Sequence, residues 1–231
     1  MKLAFTPRLG GRVAIVSPHL DDAVFGCGDV MADNPGARVI TIFSGRPSRY
    51  DVSTDWDAAA GFAAGDDVVA ARRREDRHAL RILRASPTWL PFLDRQYGPA
   101  PAVDEIVAAL RDVLERLRPA NVIVPLGLWH DDHRLAHAVC RRLIPVWPAI
   151  GWHAYADAIY RRFRDSGLAD RLAELRAGGI RPVATGAARP ASARKRASVA
   201  CYGSQLRALG SPGRPGFADA FEPEWLWHLV L

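Results

Sequence analysis

The chain has 231 residues, 49% of them hydrophobic and 24% charged, with a mean hydropathy of −0.06. That profile excludes general disorder, which needs a chain poor in hydrophobic residues. No run approaches the ~20 apolar residues of a membrane helix. Residues 1–8 carry no long apolar stretch, so no secretory leader is expected and the cytoplasm is the expected location. Cys27, Cys140 and Cys201 lie far apart, which suits neither a disulfide framework nor a cysteine zinc site.

Lysine plus arginine number 31 against 25 acidic residues, a net charge of +6, and the sequence pI is about 9.7. Only Lys2 and Lys195 are lysine. A basic balance suits an anionic partner such as nucleic acid or a phospho-sugar. Its plainer reading is arginine in ordinary surface positions, which is preferred here.

The first 147 residues alternate between strand and helix patterns. Residues 12–17 form a β-branched run, and 23–32 suit a helix. A second β-rich run covers 37–43. Residues 66–84 suit a long helix and 88–93 a third strand. Residues 103–117 carry a clean apolar stripe at helical spacing, stopped by Pro119. Residues 121–125 read as a buried strand, and 133–144 return to helix. Such alternation predicts an α/β fold: a Rossmann-like, mostly parallel sheet with helices on both faces. After Pro148 the pattern weakens. A strand over 152–160, helices over 168–177 and 193–209, a turn at 211–215 and a terminal strand over 224–231 are expected. One domain over 1–231 follows, with its core in 12–147 and the part from 148 to 231 completing the site. Residues 44–66 lack periodicity, and a loop that long is either a binding loop or lid, or plain surface.

Chemistry concentrates at two strand ends. The first strand runs into Ser17-Pro18-His19-Leu20-Asp21-Asp22, and the fourth into Trp129-His130-Asp131-Asp132-His133. Ligands of parallel α/β sheets bind outside the carboxyl ends of the strands. Histidine plus carboxylate is the donor set of a catalytic zinc, and also suits other divalent transition metals. His19 and Asp22 are spaced so that one turn can aim both at one point, with His133 as a third ligand. Asp21 would then be left as a carboxylate able to take a proton. Two other readings stay open: the Asp pair as a helix N-cap, and His133 with His137 as a ligand pair on one helix face.

With these residues quoted, the sequence resembles the LmbE-like (PIG-L) zinc-dependent N-acetylglucosaminyl deacetylases. Their Ala-His-Pro-Asp-Asp-Glu motif corresponds to Ser17 through Ala23, and their His-x-Asp-His motif to His130 through His133. An Arg-x-x-Glu helix motif resembles Arg72 to Glu75, followed by Leu83-Arg84. A late Lys…Tyr-x-Ser-Gln motif resembles Lys195 with Tyr202 to Gln205. The matches occur in family order. The resemblance implies a Rossmann-like fold that binds a metal rather than a dinucleotide. It implies His19, Asp22 and His133 as zinc ligands, Asp21 as general base, and His130 as the group that stabilises the oxyanion or protonates the leaving amine. Arg72 and Asp94 match positions that bind sugar hydroxyls. Leu20, Ala23 and Arg84 depart from the usual Pro, Glu and Gly without removing a ligand or the base.

The expected activity is hydrolysis of an N-acetyl group from an amino sugar or its conjugate, by metal-activated water. The expected partner is that small molecule, with no nucleic acid and no membrane span, in a monomer or an oligomer. An amidase or esterase with a non-sugar substrate would use the same site. A nucleotide or nucleic-acid binder would need a Gly-rich phosphate loop where Asp21 and Asp22 stand, and Gly26 and Gly28 come too late to form one. Arg46, Arg49, Tyr50, Trp56 and Asp57 are candidate lid contacts. Trp129 could wall the pocket. Arg189, Arg194, Lys195 and Arg196 read as a solvated helix start.

Overall fold

The computed structural model describes residues 9–185 and 190–231, so Arg189 of the basic run lies outside the described residues. Strand β1 (Val13–Ser17) is buried along its whole length, as expected of a central parallel strand made of Val, Ile and Ala. It pairs in parallel with β2 (Arg38–Thr41) on one side and β4 (Asn121–Pro125) on the other. β3 (Ser86–Trp89) extends the sheet beyond β2, and β5 (Gly151–Tyr155) extends it beyond β4, both in parallel. β7 (Leu226–Val230) then runs antiparallel against β5, and β6 (Arg181–Ala184) antiparallel against β7. The order is β3-β2-β1-β4-β5-β7-β6. Chain direction across the sheet therefore reverses between β1 and β4, where the two His/Asp clusters emerge.

Helices α1 (Asp22–Asp33), α2 (Asp55–Ala59), α3 (Val68–Ile82), α4 (Val103–Leu117), α5 (Asp131–Leu143), α6 (Leu168–Ala177), α7 (Ala193–Val199) and α8 (Gly203–Leu209) complete the chain. One face of the sheet packs on α4, α5 and α6 through residues such as Ile106, Leu110, Val139 and Leu175. The other packs on α1, α3, α7 and α8 through Phe25, Met31, Leu80, Val199 and Leu209.

Two expectations need correction, and one strand was not expected. The helix expected over 193–209 is two helices. Its break falls at Tyr202, and α8 restarts because the Glu75 carboxylate accepts Ser204 N–H at 2.8 Å and Ser204 Oγ–H at 2.6 Å. Strand β6 has no signal in its Arg-Pro-Val-Ala sequence. It is an edge strand, the place where Pro is tolerated in a sheet. Lys195 is not solvated. It is fully buried and bonds the Glu224 carboxylate at 2.8 Å, while Arg194 and Arg196 are exposed.

That ion pair explains the shape of α1. The helix is kinked at Cys27, whose φ of −135° and ψ of 17° are non-helical. The backbone N–H groups of Asp29 and Val30 instead donate to Glu224 at 2.7 and 3.1 Å. Glu224 thus caps the second half of α1, and Lys195 neutralises it. Both glycines near the kink are close approaches. A Cβ on Gly26 would lie 2.5 Å from the Tyr155 ring, and one on Gly28 would lie 2.7 Å from Lys195 Cγ.

Two consequences can be measured. Gly26→Ala should lower the unfolding free energy by about 1–3 kcal/mol, because the fully buried Tyr155 ring must move. Gly10→Ala meets nothing within 4 Å and should stay within about 0.5 kcal/mol of the parent. Equal urea midpoints for the two variants would contradict the packing. The second concerns Asp76 on α3. It accepts hydrogen bonds from Trp89 Nε1 and the Tyr202 hydroxyl, both at 2.8 Å, yet burial pushes it up to about 6. The folded state holds this proton where the unfolded chain, near 3.9, has lost it. Unfolding free energy should therefore fall as pH rises from about 4 to about 6, by about 3 kcal/mol from this group. Asp76→Asn should lose that component, and identical pH slopes in the two proteins would refute it.

Candidate active site and metal centre

The pairing of β1 with β4 places the loop after each strand side by side. The first loop is pinned by its own backbone: Ser17 Oγ donates to the His19 carbonyl at 2.7 Å, and Ala23 N–H donates back to Ser17 Oγ at 3.0 Å. Asp22, the first residue of α1, accepts His19 N–H at 2.8 Å. From the second loop, α5 delivers Asp132 and His133 within its first turn.

Asp22 Oδ2 lies 3.3 Å from His19 Nδ1 and 3.2 Å from His133 Nε2. The donor atoms of His19, Asp22 and His133 all lie within 4.8 Å of one another. Each imidazole is held from its far side by a second carboxylate. His133 Nδ1 lies 2.6 Å from Asp157, and His19 Nε2 lies 3.1 Å from Asp132. A carboxylate on one ring nitrogen fixes the tautomer and leaves the other nitrogen bare toward the shared point, the usual support of metal-ligating histidines. His133 Nε2 is buried and has no hydrogen-bond partner, as a metal-directed nitrogen would be. The donor set therefore fits a divalent cation.

Electrostatics agree. Burial opposes a charge on Asp22, but His133 and His19 hold its carboxyl well below the usual range. Burial also opposes protonation of His133, yet Asp22 and Asp157 push it up to about 9. The pocket thus calls for positive charge. Asp21 differs: burial and the neighbouring Asp22 charge push its carboxyl well up. It occupies the N-cap position of α1 but makes no capping bond, so its carboxyl is free to face the cavity.

His130 caps α5 with its ring. Its Nδ1 accepts Asp132 N–H at 3.2 Å, so the neutral ring carries its proton on Nε2. Burial, with His19 and His133 adding to it, pushes His130 down to about 4. At neutral pH it is a neutral hydrogen-bond donor, which favours the oxyanion role over that of an acid. His137 does not join His133 as a ligand pair. Its Nδ1 donates to the Pro125 carbonyl at 2.9 Å, behind the site.

A cavity of about 400 Å³ opens over these groups, lined by His19, Asp21, Asp22, Asp94 and His130 at its floor. Its walls include Trp56 of α2, Trp129, Ile159, Tyr160, Gln205 of α8 and Arg214. Trp56 is anchored by its indole N–H, which donates to Gln205 at 2.8 Å; of segment 44–66 it is Trp56 that lines this cavity, while Arg46 pairs with Asp67, Arg49 with Asp51 and Asp57 with Arg72 outside it. Trp129 stacks on Tyr160, ring centroids 5.1 Å apart. Ile159 has φ of 80°, a strained conformation for a β-branched residue, held by its N–H donating to Asp219 at 2.9 Å. Arg72 lies behind the wall rather than in it. It is buried, bonds Asp57 at 2.8 Å, and donates to the Tyr97 hydroxyl at 3.2 Å. Asp94 reaches the cavity while its carboxylate accepts from Gln96 N–H at 3.0 Å.

Asp157 was not legible as a site residue, although it follows β5 and obeys the same strand-end rule. The run expected as strand over 152–160 concealed it; β5 ends at Tyr155. Asp132 sits in a quoted motif, but its bond to His19 spans 113 positions.

The PIG-L family model, described as GlcNAc-PI de-N-acetylase, matches residues 14–144. A 2'-N-acetylparomamine deacetylase of Streptomyces fradiae is 30% identical over 220 residues, covering 84% of this chain and 74% of that protein. The fold is shared with a deacetylase of the teicoplanin biosynthesis pathway at TM-score 0.77 and 22% identity, covering 95% of this chain and 98% of that one. It is also shared with the A40926 pseudoaglycone deacetylase Dbv21 at TM-score 0.74 and 24% identity, covering 95% and 97%. With more than half its length matched by the family model, the chain belongs to the PIG-L family.

Proposed function

We propose that this protein is a zinc-dependent de-N-acetylase of an N-acetylated amino sugar conjugate. The observation that carries the reading is the convergence of His19, Asp22 and His133 on one point, with Asp21 uncommitted beside it. Two imidazoles and one carboxylate make a three-ligand set of the kind found in catalytic zinc sites. The curated relative acts on 2'-N-acetylparomamine, an N-acetylated amino sugar conjugate.

A bound divalent cation supplies Lewis acidity here, polarising the acyl oxygen and lowering the pKa of a water. Asp21 receives the proton of the attacking water. His130 donates from Nε2 to the acyl oxygen as negative charge develops there. Asp21 then returns its proton to the departing amine, so that acetate and a free amino sugar leave. Asp94 offers a carboxylate to sugar hydroxyls. Arg72 serves from behind, fixing Asp57 and Tyr97.

Asp21→Asn should fold and retain the metal but release acetate roughly 10²–10⁴-fold more slowly; turnover at the parent rate would remove Asp21 as the base. Asp157→Asn should weaken metal affinity about 10–100-fold by freeing the His133 ring. Metal-buffered titration checks this, and unchanged affinity would show that Asp157 does not support a ligand.

A further inference from the structure

Two arginines line the cavity, Arg95 and Arg214. Arg95 is occupied: its Nε donates to Asp132 at 3.4 Å and its Nη1 to Asp131 at 3.1 Å. Arg46, Arg49 and Arg72 are likewise paired, with Asp67, Asp51 and Asp57. The Arg214 guanidinium has no carboxylate and no hydrogen-bond acceptor among the described residues. It lies over the Trp56 ring instead, 5.2 Å from the centroid.

Arg214 is also firmly mounted. It stands in the turn after α8, where its backbone N–H donates to the Ser211 carbonyl at 3.2 Å and Gly216 N–H donates to Leu209 at 3.0 Å. Gly213 and Gly216 have φ of 78° and 76°, the left-handed conformation that glycine adopts at little cost. Pro215, between Arg214 and Gly216, stiffens the turn. Trp56, which carries the guanidinium, is itself fixed by Gln205. The result is a pre-positioned cation on the cavity wall whose N–H donors are unused.

We propose that Arg214 determines specificity by binding an anionic group, a carboxylate or a phosphate, on the scaffold of the amino sugar conjugate. This rests on the reading of the site as that of a de-N-acetylase. The guanidinium fork matches both anions in bidentate fashion. A neutral scaffold laid over Arg214 would strip water from a charge and return nothing, and a cationic one would be repelled. The floor of the cavity, with Asp21, Asp22 and Asp94, has the opposite character. A conjugate with its acetamide toward the floor and its anionic group toward Arg214 fits that polarity.

The test follows acetate release by the zinc-loaded full chain from four matched glycosides: the methyl, carboxymethyl, 2-phosphoethyl and 2-aminoethyl N-acetylglucosaminides. At low salt, kcat/KM for the two anionic glycosides should exceed that of the methyl glycoside about tenfold, the effect of a charge-assisted contact at an open wall. The aminoethyl glycoside should be slowest, and the larger of the two anionic values identifies the group. Rising salt should shrink the preference. Arg214→Gln should bring the ratio of anionic to neutral close to one. Arg214→Glu should invert the series in favour of the aminoethyl glycoside, an outcome that misfolding cannot produce because it lowers all four together. Equal values for charged and neutral glycosides in the parent, or a ratio unmoved by both variants, overturns the proposal. Calorimetric binding of the same glycosides to the Asp21→Asn protein separates the two readings. Acetate from none of the four, with the anionic preference kept in binding, overturns the de-N-acetylase reading and leaves Arg214 in its role.

Discussion

Two imidazoles share one carboxylate oxygen of Asp22, and the rest of the site is arranged so that this sharing can persist in a buried place. Asp22 comes from the loop after β1 and His133 from the helix after β4. They meet only because these strands are neighbours in the sheet. A buried carboxylate without compensation is expensive. Here it is offset by its own loop's N–H and by two rings, each oriented by another carboxylate. Asp132 and Asp157 are thus as much a part of the centre as the three donors.

The same economy of buried charge recurs at the kink of α1. Glu224 sits at the kink and receives two backbone N–H groups that the broken helix has released, and Lys195 cancels its charge. The kink changes direction between the first turn of α1, which carries Asp22, and the rest of the helix, which packs on α7. Three residues of the late Lys…Tyr-x-Ser-Gln motif find a structural role here and nearby. Lys195 holds Glu224, and Tyr202 and Ser204 bind Asp76 and Glu75 of α3. They hold the last third of the chain against the helix that also contributes Arg72.

Much of this was legible in the sequence because its signals are local. The buried strands at 13–17 and 121–125 are short β-branched runs, and the two His/Asp clusters follow them directly. The adjacency of β1 and β4, however, is set by pairings such as Val13 with Asn121, more than a hundred residues apart, and no local pattern states it. Gln205 and Arg214 reach the cavity, and Asp157 the back of the His133 ring, only through packing of residues distant in sequence. Lys195 shows the opposite difficulty. Within a basic run its burial is invisible, because Glu224, the residue that makes burial tolerable, lies 29 positions on. Arg72 matched a sugar-binding position, yet Asp57 and Tyr97 claim its guanidinium.

The placement of β7 bears on how the molecule assembles. β6 hydrogen-bonds to β7 alone, and β7 is the strand that joins it to β5. A nascent chain therefore completes β1 through β5 while β6 has no partner and the edge of β5 stands open. Glu224, immediately before β7, arrives at the same late moment, so the second half of α1 waits for its cap. The strand that joins β6 to the sheet and the carboxylate that caps the second half of α1 thus lie within a few residues of each other in the chain.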